Sequence, residues 1–231
     1  MLNVVGVDGC KGGWVACFRK NGGLEFQIFA NFKVLIGAFD QNAIIAVDMP
    51  IGLPDAVGAA GRGPEGLIRP MLGKRQSSVF SIPSRSAVYA PTYPEACQRA
   101  FETSSPPRKI SKQGYFLFPK VREIDLLLQA DKVLRFRIFE THPELVFRNL
   151  KGSPLDFAKK TVEGAKERTA LLVDFGFSIH AWPNLKGAAL DDIIDSAACL
   201  VTATRIHEHL AQPHPAQPAL DSYNIPIAIW A

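Results

Sequence analysis

Near its N-terminus the chain reads NVVGVDGCKGGWVACFR (residues 3–19), in which two runs of β-branched and aromatic residues flank a glycine-rich turn. Gly12 and Gly13 accept the positive φ of a tight turn, so the two runs are predicted to form a β-hairpin. Another glycine turn, at residues 21–23, precedes a third apolar run. The opening therefore predicts a three-stranded meander, with strands at residues 3–8, 14–19 and 24–29.

Two further apolar runs extend the predicted sheet, and each ends in an acidic residue. Residues 43–48 are apolar without alternation, as expected of a central strand covered on both faces, and they end at Asp48. Residues 133–140 are predicted to form another strand, which ends at Glu140. Because predicted strands precede predicted helices along the chain, the sequence favours an α/β domain built on one mixed sheet.

The remaining segments are predicted to be helices, an insertion and a tail. The segment at about residues 54–119, rich in glycine, proline, serine and arginine, is interpreted as an insertion into a single domain spanning residues 1–231. A proline-rich tail at about residues 212–231 becomes apolar near its end and could add an edge strand or a docking arm. Helical spacing predicts helices at about residues 32–39, 65–72, 94–103, 121–128, 163–175 and 191–209, and a short one beginning at Glu144.

Composition limits the class of protein. The chain has 231 residues, of which 47% are hydrophobic and 21% charged, so it can bury a substantial core. Its start lacks a basic segment followed by a long apolar one, and no apolar run approaches about 20 residues, so a soluble, cytoplasmic protein is expected. Four cysteines without Cys-x-x-Cys spacing disfavour a zinc site or a redox motif. The net charge of +4 is compatible with a polyanionic partner but does not identify one.

The last predicted helix begins with LDDIIDSAAC (residues 190–199), which places three carboxylates in an apolar segment. Asp192 and Asp195 are three residues apart and are predicted to share a helix face. Capping of the helix start is an alternative role for Asp191 or Asp192, because acidic residues are favoured at that end. Capping explains little at Asp195, which lies one turn further in.

Acids at strand ends add to this set. Ligands in open α/β sheets gather beyond the carboxyl ends of the strands, where Asp8, Asp48 and Glu140 are predicted to lie. With Asp192 and Asp195 they make four or five carboxylates, enough to hold two Mg²⁺ or Mn²⁺ ions about 3.5–4 Å apart. Such a pair of ions suits phosphodiester hydrolysis, so the sequence predicts a phosphodiesterase site.

Each of these acids also has a structural interpretation. Asp8 could form a turn through its own backbone. Glu140 could pair with Arg137 or Arg148 on the surface. His142 could act as a general acid or base, because its unperturbed pKa is near 6.5, or it could simply bind nearby backbone groups.

Several cations could meet phosphate groups of a substrate. Arg168 shares a helical stripe with Leu172 and Phe175, and it is expected to pair with a carboxylate more readily than with substrate. The other candidates are Lys11, Arg69, Arg75, Arg85, Lys159 and Lys160.

Four motifs, in order along the chain, carry a resemblance to a known family. They are GVDGCKGGW (6–14), VDMPIGL (47–53), ETHPE (140–144) and DDIID (191–195). Together they resemble the DUF429 family of predicted RNase H-like nucleases, over roughly residues 3–210.

This resemblance implies an RNase H-like fold: a five-stranded mixed sheet flanked by helices, with an inserted segment after strand 4. It implies metal ligands on strands one and four and on the last helix. The DDIID motif looks most like the terminal helix of Holliday-junction resolvases, which makes Asp8, Asp48, Asp192 and Asp195 the implied ligands. Glu140 and Glu144 belong to the family's own motif, so with His142 they are further candidates for catalytic residues.

We therefore expect a metal-dependent nuclease acting on nucleic acid or a nucleotide, with Mg²⁺ or Mn²⁺ as cofactor. A non-catalytic module that binds nucleotides or nucleic acid is the main alternative. An ATP-dependent enzyme is less favoured. The Asp-Gly turn after strand one resembles a phosphate loop of sugar kinases, but those proteins need two such loops and the chain has one.

Overall fold

A computed structural model describes residues 4–231, so residue 3, where the first strand was predicted to begin, lies outside the described residues. Within residues 4–231, no helix combines the length and the apolar character needed to cross a membrane. The chain forms two compact units. The first contains residues 4–49, Phe136–Gln212 and Trp230–Ala231; the second contains Pro50–Arg135 and Pro213–Ile229.

Two runs of helices, each preceded by a strand, follow the opening meander and a first helix, and the chain ends in two strands. The strands are β1 Val4–Cys10, β2 Gly13–Lys20, β3 Gly23–Phe29, β4 Ile44–Val47, β5 Ile138–Glu140, β6 Pro213–Leu220 and β7 Pro226–Trp230. The helices are α1 Phe32–Gly37, α2 Pro64–Ile68, α3 Arg85–Val88, α4 Tyr93–Glu102, α5 Lys112–Ala130, α6 Pro143–Lys151, α7 Val162–Asp174 and α8 Leu190–His207.

The first unit is built on a five-stranded sheet in the order β3-β2-β1-β4-β5. Strands β1, β2 and β3 pair antiparallel, as the glycine turns predicted, whereas β4 pairs parallel to β1 and β5 parallel to β4. One face packs on α8, which is buried from Ile193 to Thr204. The predicted α/β class and the five-stranded mixed sheet flanked by helices are both confirmed.

The prediction of a strand over residues 133–140 was wrong in its first half. Residues Val133–Phe136 form a 3₁₀ turn, and only Ile138–Glu140 join the sheet. The carboxylate of Asp131 accepts the Val133 N–H at 2.8 Å, which starts a turn, and Arg135 Nε donates to the Leu128 carbonyl at 2.8 Å. These local hydrogen bonds outweigh the apolar pattern of the segment.

The second unit contains α2 to α5 and a two-stranded sheet of β6 and β7. Helix α2 ends at Ile68 and continues as a 3₁₀ segment, because Pro70 has no N–H to extend an α-helix. Helix α5 runs without interruption across residue 119, the predicted end of the insertion. The predicted tail strand corresponds to β7.

Buried ion pairs hold this second unit together. Arg85 pairs through Nη1 with Asp125 and through Nη2 with Asp221, the latter at 2.6 Å. Arg62 pairs with Glu65 at 2.7 Å, and both side chains are almost fully buried.

Candidate metal-binding site

Three carboxylates lie together in the first unit. Asp8 is in β1, Asp48 directly follows β4, and Asp195 is in the second turn of α8. One oxygen of each lies within 4.8 Å of one oxygen of each of the others. Asp8 and Asp48, which were predicted at strand ends, thus lie close together, and Asp195 of the predicted helix lies beside them.

The sheet register fixes the first two of these acids. Val7 pairs with Val47 across the parallel strands β1 and β4, and the Asp48 N–H donates to the Val7 carbonyl at 2.9 Å. Asp8 and Asp48 are therefore neighbours in the ladder, with side chains on the same face. Asp8 is buried, and its carboxylate also accepts the Gly9 N–H at 2.6 Å.

Gly6 lets the third acid approach. A Cβ atom at Gly6 would lie 2.0 Å from the backbone nitrogen of Leu200 and 2.2 Å from the carbonyl oxygen of Ser196. The backbone of α8 thus touches the backbone of β1, two residues before Asp8. This close contact holds α8 against β1. Asp195, the residue before Ser196, therefore lies near Asp8.

Burial and mutual repulsion raise the pKa values of the three carboxylates. Burial raises the pKa of Asp8 well above its ordinary value, and the nearby charges of Asp48 and Asp195 raise it further. Burial likewise raises the pKa of Asp48 to about 6, although Lys159 opposes the shift. Asp195 also reaches a pKa of about 6, chiefly through burial. Such a cluster is stabilised by any cation that enters it.

Lys159 is a cation of this kind. Its Nζ lies 2.7 Å from Oδ2 of Asp195 and 3.9 Å from Oδ2 of Asp191. Burial alone would lower the pKa of Lys159, but the charges of Asp195, Asp48 and Asp8 outweigh it and raise the pKa. Lys159 is therefore charged near neutral pH.

Glu144 and Arg168 form a buried pair beside the cluster. Arg168 Nη2 donates to Oε1 of Glu144 at 2.5 Å, and its side chain is only 1% exposed. The Glu144 charge raises the pKa of both Asp48 and Asp195, so it acts on the cluster. Among residues 4–231, the buried Oε2 of Glu144 has no hydrogen-bond partner. The predicted pairing of Arg168 with a carboxylate thus occurs, with a family-motif acid as the partner.

Three other predicted acid–base residues lie outside the group of three carboxylates. Asp192 accepts the Ala189 N–H at 2.9 Å, so it caps the start of α8. Glu140 pairs with Val47 in the ladder and therefore faces away from Asp48, because alternate strand residues point to opposite faces. His142 is half-buried and is the residue that precedes α6.

Four of the predicted phosphate-binding cations fall into two groups. Lys11, in the β1–β2 turn, and Lys160, before α7, are exposed. Arg69 donates to the Val79 carbonyl and to the Ser81 hydroxyl, and Arg85 holds two carboxylates, so both serve contacts inside the second unit.

Two features of the site were not predicted from the sequence. Lys159 was expected to contact phosphate, but its partner is a carboxylate 36 residues further along the chain. Gly6 was assigned no role, although a glycine inside an apolar strand is a known signal of close backbone approach.

Fold and site together define an α/β protein with a largely buried carboxylate cluster beside two parallel strands. The chain belongs to the DUF429 family, described as a protein of unknown function, whose model matches residues 6–220. No curated protein and no solved structure matches the chain.

Proposed function

We propose that this protein is a metal-dependent nuclease or phosphodiesterase with an RNase H-like fold. One observation carries the proposal: Asp8, Asp48 and Asp195 present oxygens within 4.8 Å of one another. They come from β1, the end of β4 and α8, the elements that supply metal ligands in the fold the sequence resembles. The five-stranded mixed sheet flanked by helices is also what that fold implies.

The residues fit a divalent cation. Carboxylate oxygens are the ligands that Mg²⁺ and Mn²⁺ prefer, and neutralising three close acids relieves their mutual repulsion. The unpartnered Oε2 of Glu144 adds a buried acceptor beside the cluster. We assign Asp8, Asp48 and Asp195 as the ligands. A divalent ion held by these residues would polarise an attacking water and stabilise a leaving oxygen.

A phosphodiester is the substrate class that best suits this chemistry. The net charge is +4, and Lys11 and Lys160 are exposed cations of the same unit. They would attract a phosphate backbone whatever its base sequence. We therefore propose nucleic acid or a nucleotide as substrate, in the cytoplasm.

Cleavage of labelled nucleic acids tests this proposal. Single-stranded, duplex and branched DNA and RNA are incubated with purified protein and either Mn²⁺, Mg²⁺ or EDTA. Asp8→Asn and Asp48→Asn remove one ligand charge each, and Asp174→Asn, an exposed acid at the end of α7, is the matched control.

Metal-dependent cleavage that both ligand variants lose and Asp174→Asn keeps would support a nuclease. Cleavage retained by Asp8→Asn and Asp48→Asn would place the activity elsewhere. If no substrate is cleaved, but nucleotides or nucleic acids still bind and Asp48→Asn leaves that binding intact, the protein is a non-catalytic binding module.

A further inference from the structure

We propose that Lys159 is a displaceable internal cation, which holds Asp195 while the site lacks a divalent ion and moves to Asp191 when one binds. This inference rests on the proposed metal site and adds a regulatory element to it. Lys159 would set how tightly the site binds metal.

Lys159 and a divalent cation would compete for the same carboxylate, that of Asp195. The Lys159 Nζ lies 2.7 Å from Oδ2 of Asp195, which also belongs to the group of three candidate ligands. A divalent cation bound by either oxygen of this carboxylate would lie close to the ammonium, and like charges so close repel strongly. Metal entry at Asp195 therefore drives Lys159 away from it.

A second carboxylate is already in reach for the departing ammonium. Oδ2 of Asp191 lies 3.9 Å from the Lys159 Nζ, and its side chain is 19% exposed. Asp191 and Asp195 are four residues apart on α8, so they lie on one face. The Lys159 side chain is 38% exposed, which gives its long stem room to rotate.

The backbone that carries Lys159 is held in place, so only the side chain has to move. Glu167 on α7 accepts the N–H groups of Asp156 and Phe157, each at 3.2 Å. Arg168 donates to the Phe157 carbonyl at 3.3 Å. The Thr161 N–H donates to the Ala158 carbonyl at 3.0 Å. Residues 156 and 157, before Lys159, are thus bonded to α7, and residues 158 and 161 are bonded to each other across Lys159.

A switch of this kind has a clear consequence for the site. While Lys159 is bound to Asp195, it offsets part of the repulsion among the three acids. The same contact competes with metal, so metal affinity is lower than the carboxylates alone would give.

Titration with Mn²⁺ alone, without substrate, tests the inference. Affinity is measured by calorimetry at one fixed pH for wild type, Lys159→Gln, Lys159→Arg and Asp191→Asn. Lys166→Gln, on α7 and exposed, controls for the loss of one positive charge. Circular dichroism verifies that each variant is folded.

We expect Lys159→Gln to bind Mn²⁺ about tenfold tighter or more, because nothing has to be displaced. Lys159→Arg should bind no tighter than wild type, because it keeps a cation at Asp195. Asp191→Asn should bind several-fold more weakly, since the displaced ammonium loses its second partner. Lys166→Gln should stay within about twofold of wild type.

Two outcomes overturn the inference in different ways. If wild type binds Mn²⁺ and Lys159→Gln binds it equally or more weakly, Lys159 does not compete with metal, while the proposed metal site stands. If neither binds Mn²⁺, the metal site itself fails and the inference fails with it.

Discussion

A Cβ atom at Gly6 would lie 2.2 Å from the carbonyl oxygen of Ser196, far inside van der Waals contact. Backbone atoms of α8 cannot yield as a flexible side chain can. The carboxylates of Asp8 and Asp195 flank this contact in sequence, two residues after Gly6 and one before Ser196. The site therefore depends on a residue that carries no functional group.

Gly6→Ala is predicted to destabilise the protein by about 1–3 kcal/mol or more, because the added methyl group forces α8 away from β1. Urea denaturation measures the change in the free energy of unfolding. Gly37→Ala is the matched control, since Gly37 ends α1 and has no atom within 4 Å of a Cβ position. The control should be neutral or slightly stabilising. Equal effects of the two substitutions would contradict the close contact.

The metal-free protein should lose stability as the pH rises from about 4 to about 6. Asp48 and Asp195 have pKa values of about 6 when folded, against 3.8 ordinarily, both chiefly because they are buried. Between these values the folded chain holds protons that the unfolded chain releases, so the free energy of unfolding falls as pH rises. For Asp195 the loss is on the order of 3 kcal/mol.

Asp48→Asn separates this effect from other titrating groups. It removes one raised pKa and also a charge that raises the pKa of Asp8. With EDTA present, the variant should be more stable than wild type at pH 7 and close to it at pH 4, as urea denaturation at several pH values would measure. If the variant and wild type had the same free energy of unfolding at every pH, burial and repulsion would not destabilise the ionised cluster.

Removing one partner of the Glu144–Arg168 pair should lower the free energy of unfolding strongly. Arg168→Met leaves a buried, unpaired carboxylate, so we expect a loss of about 3–5 kcal/mol in the free energy of unfolding. Adding Glu144→Leu should recover part of that loss, because no charge is then left buried. A double-mutant cycle by urea denaturation checks this. Additive losses in the double variant would show that the two side chains do not interact.

Arg85 should stabilise the second unit through its forked guanidinium. Nη1 and Nη2 hold Asp125 and Asp221 separately, and a lysine ammonium cannot reproduce that geometry. Arg85→Lys should therefore lower the free energy of unfolding by about 1–3 kcal/mol, measured by urea denaturation. An unchanged stability together with weaker binding of a nucleic-acid substrate would instead favour the phosphate contact that the sequence suggested.

Local sequence signals predicted much of the fold. Glycine turns specify the opening meander, and the unbroken apolar run of residues 43–48 identifies a strand that lies between two others in the sheet. These signals succeed because turn chemistry and burial act over a few residues. The same signals predicted that Asp8 and Asp48 lie together, because each residue comes directly after the last pair of the parallel β1–β4 ladder.

Other features depend on pairings that no local pattern contains. Glu140 faces away from Asp48 because of the β4–β5 register, and a shift of one residue would reverse that orientation. Lys159 reaches Asp195 only after the segment between α6 and α7 is folded against α8. The turn at residues 133–136 depends on the Asp131 carboxylate, which accepts the Val133 N–H. The apolar pattern of the following residues gave no indication of this bond.

Anomalous diffraction from crystals soaked in Mn²⁺ shows whether the three carboxylates hold a metal ion. We expect a manganese peak within about 2.0–2.6 Å of carboxylate oxygens of Asp8, Asp48 and Asp195. At the same time, the Lys159 ammonium should have left Asp195. A map at saturating Mn²⁺ that shows no metal among these three carboxylates, with Lys159 still bound to Asp195, would contradict the proposed metal site.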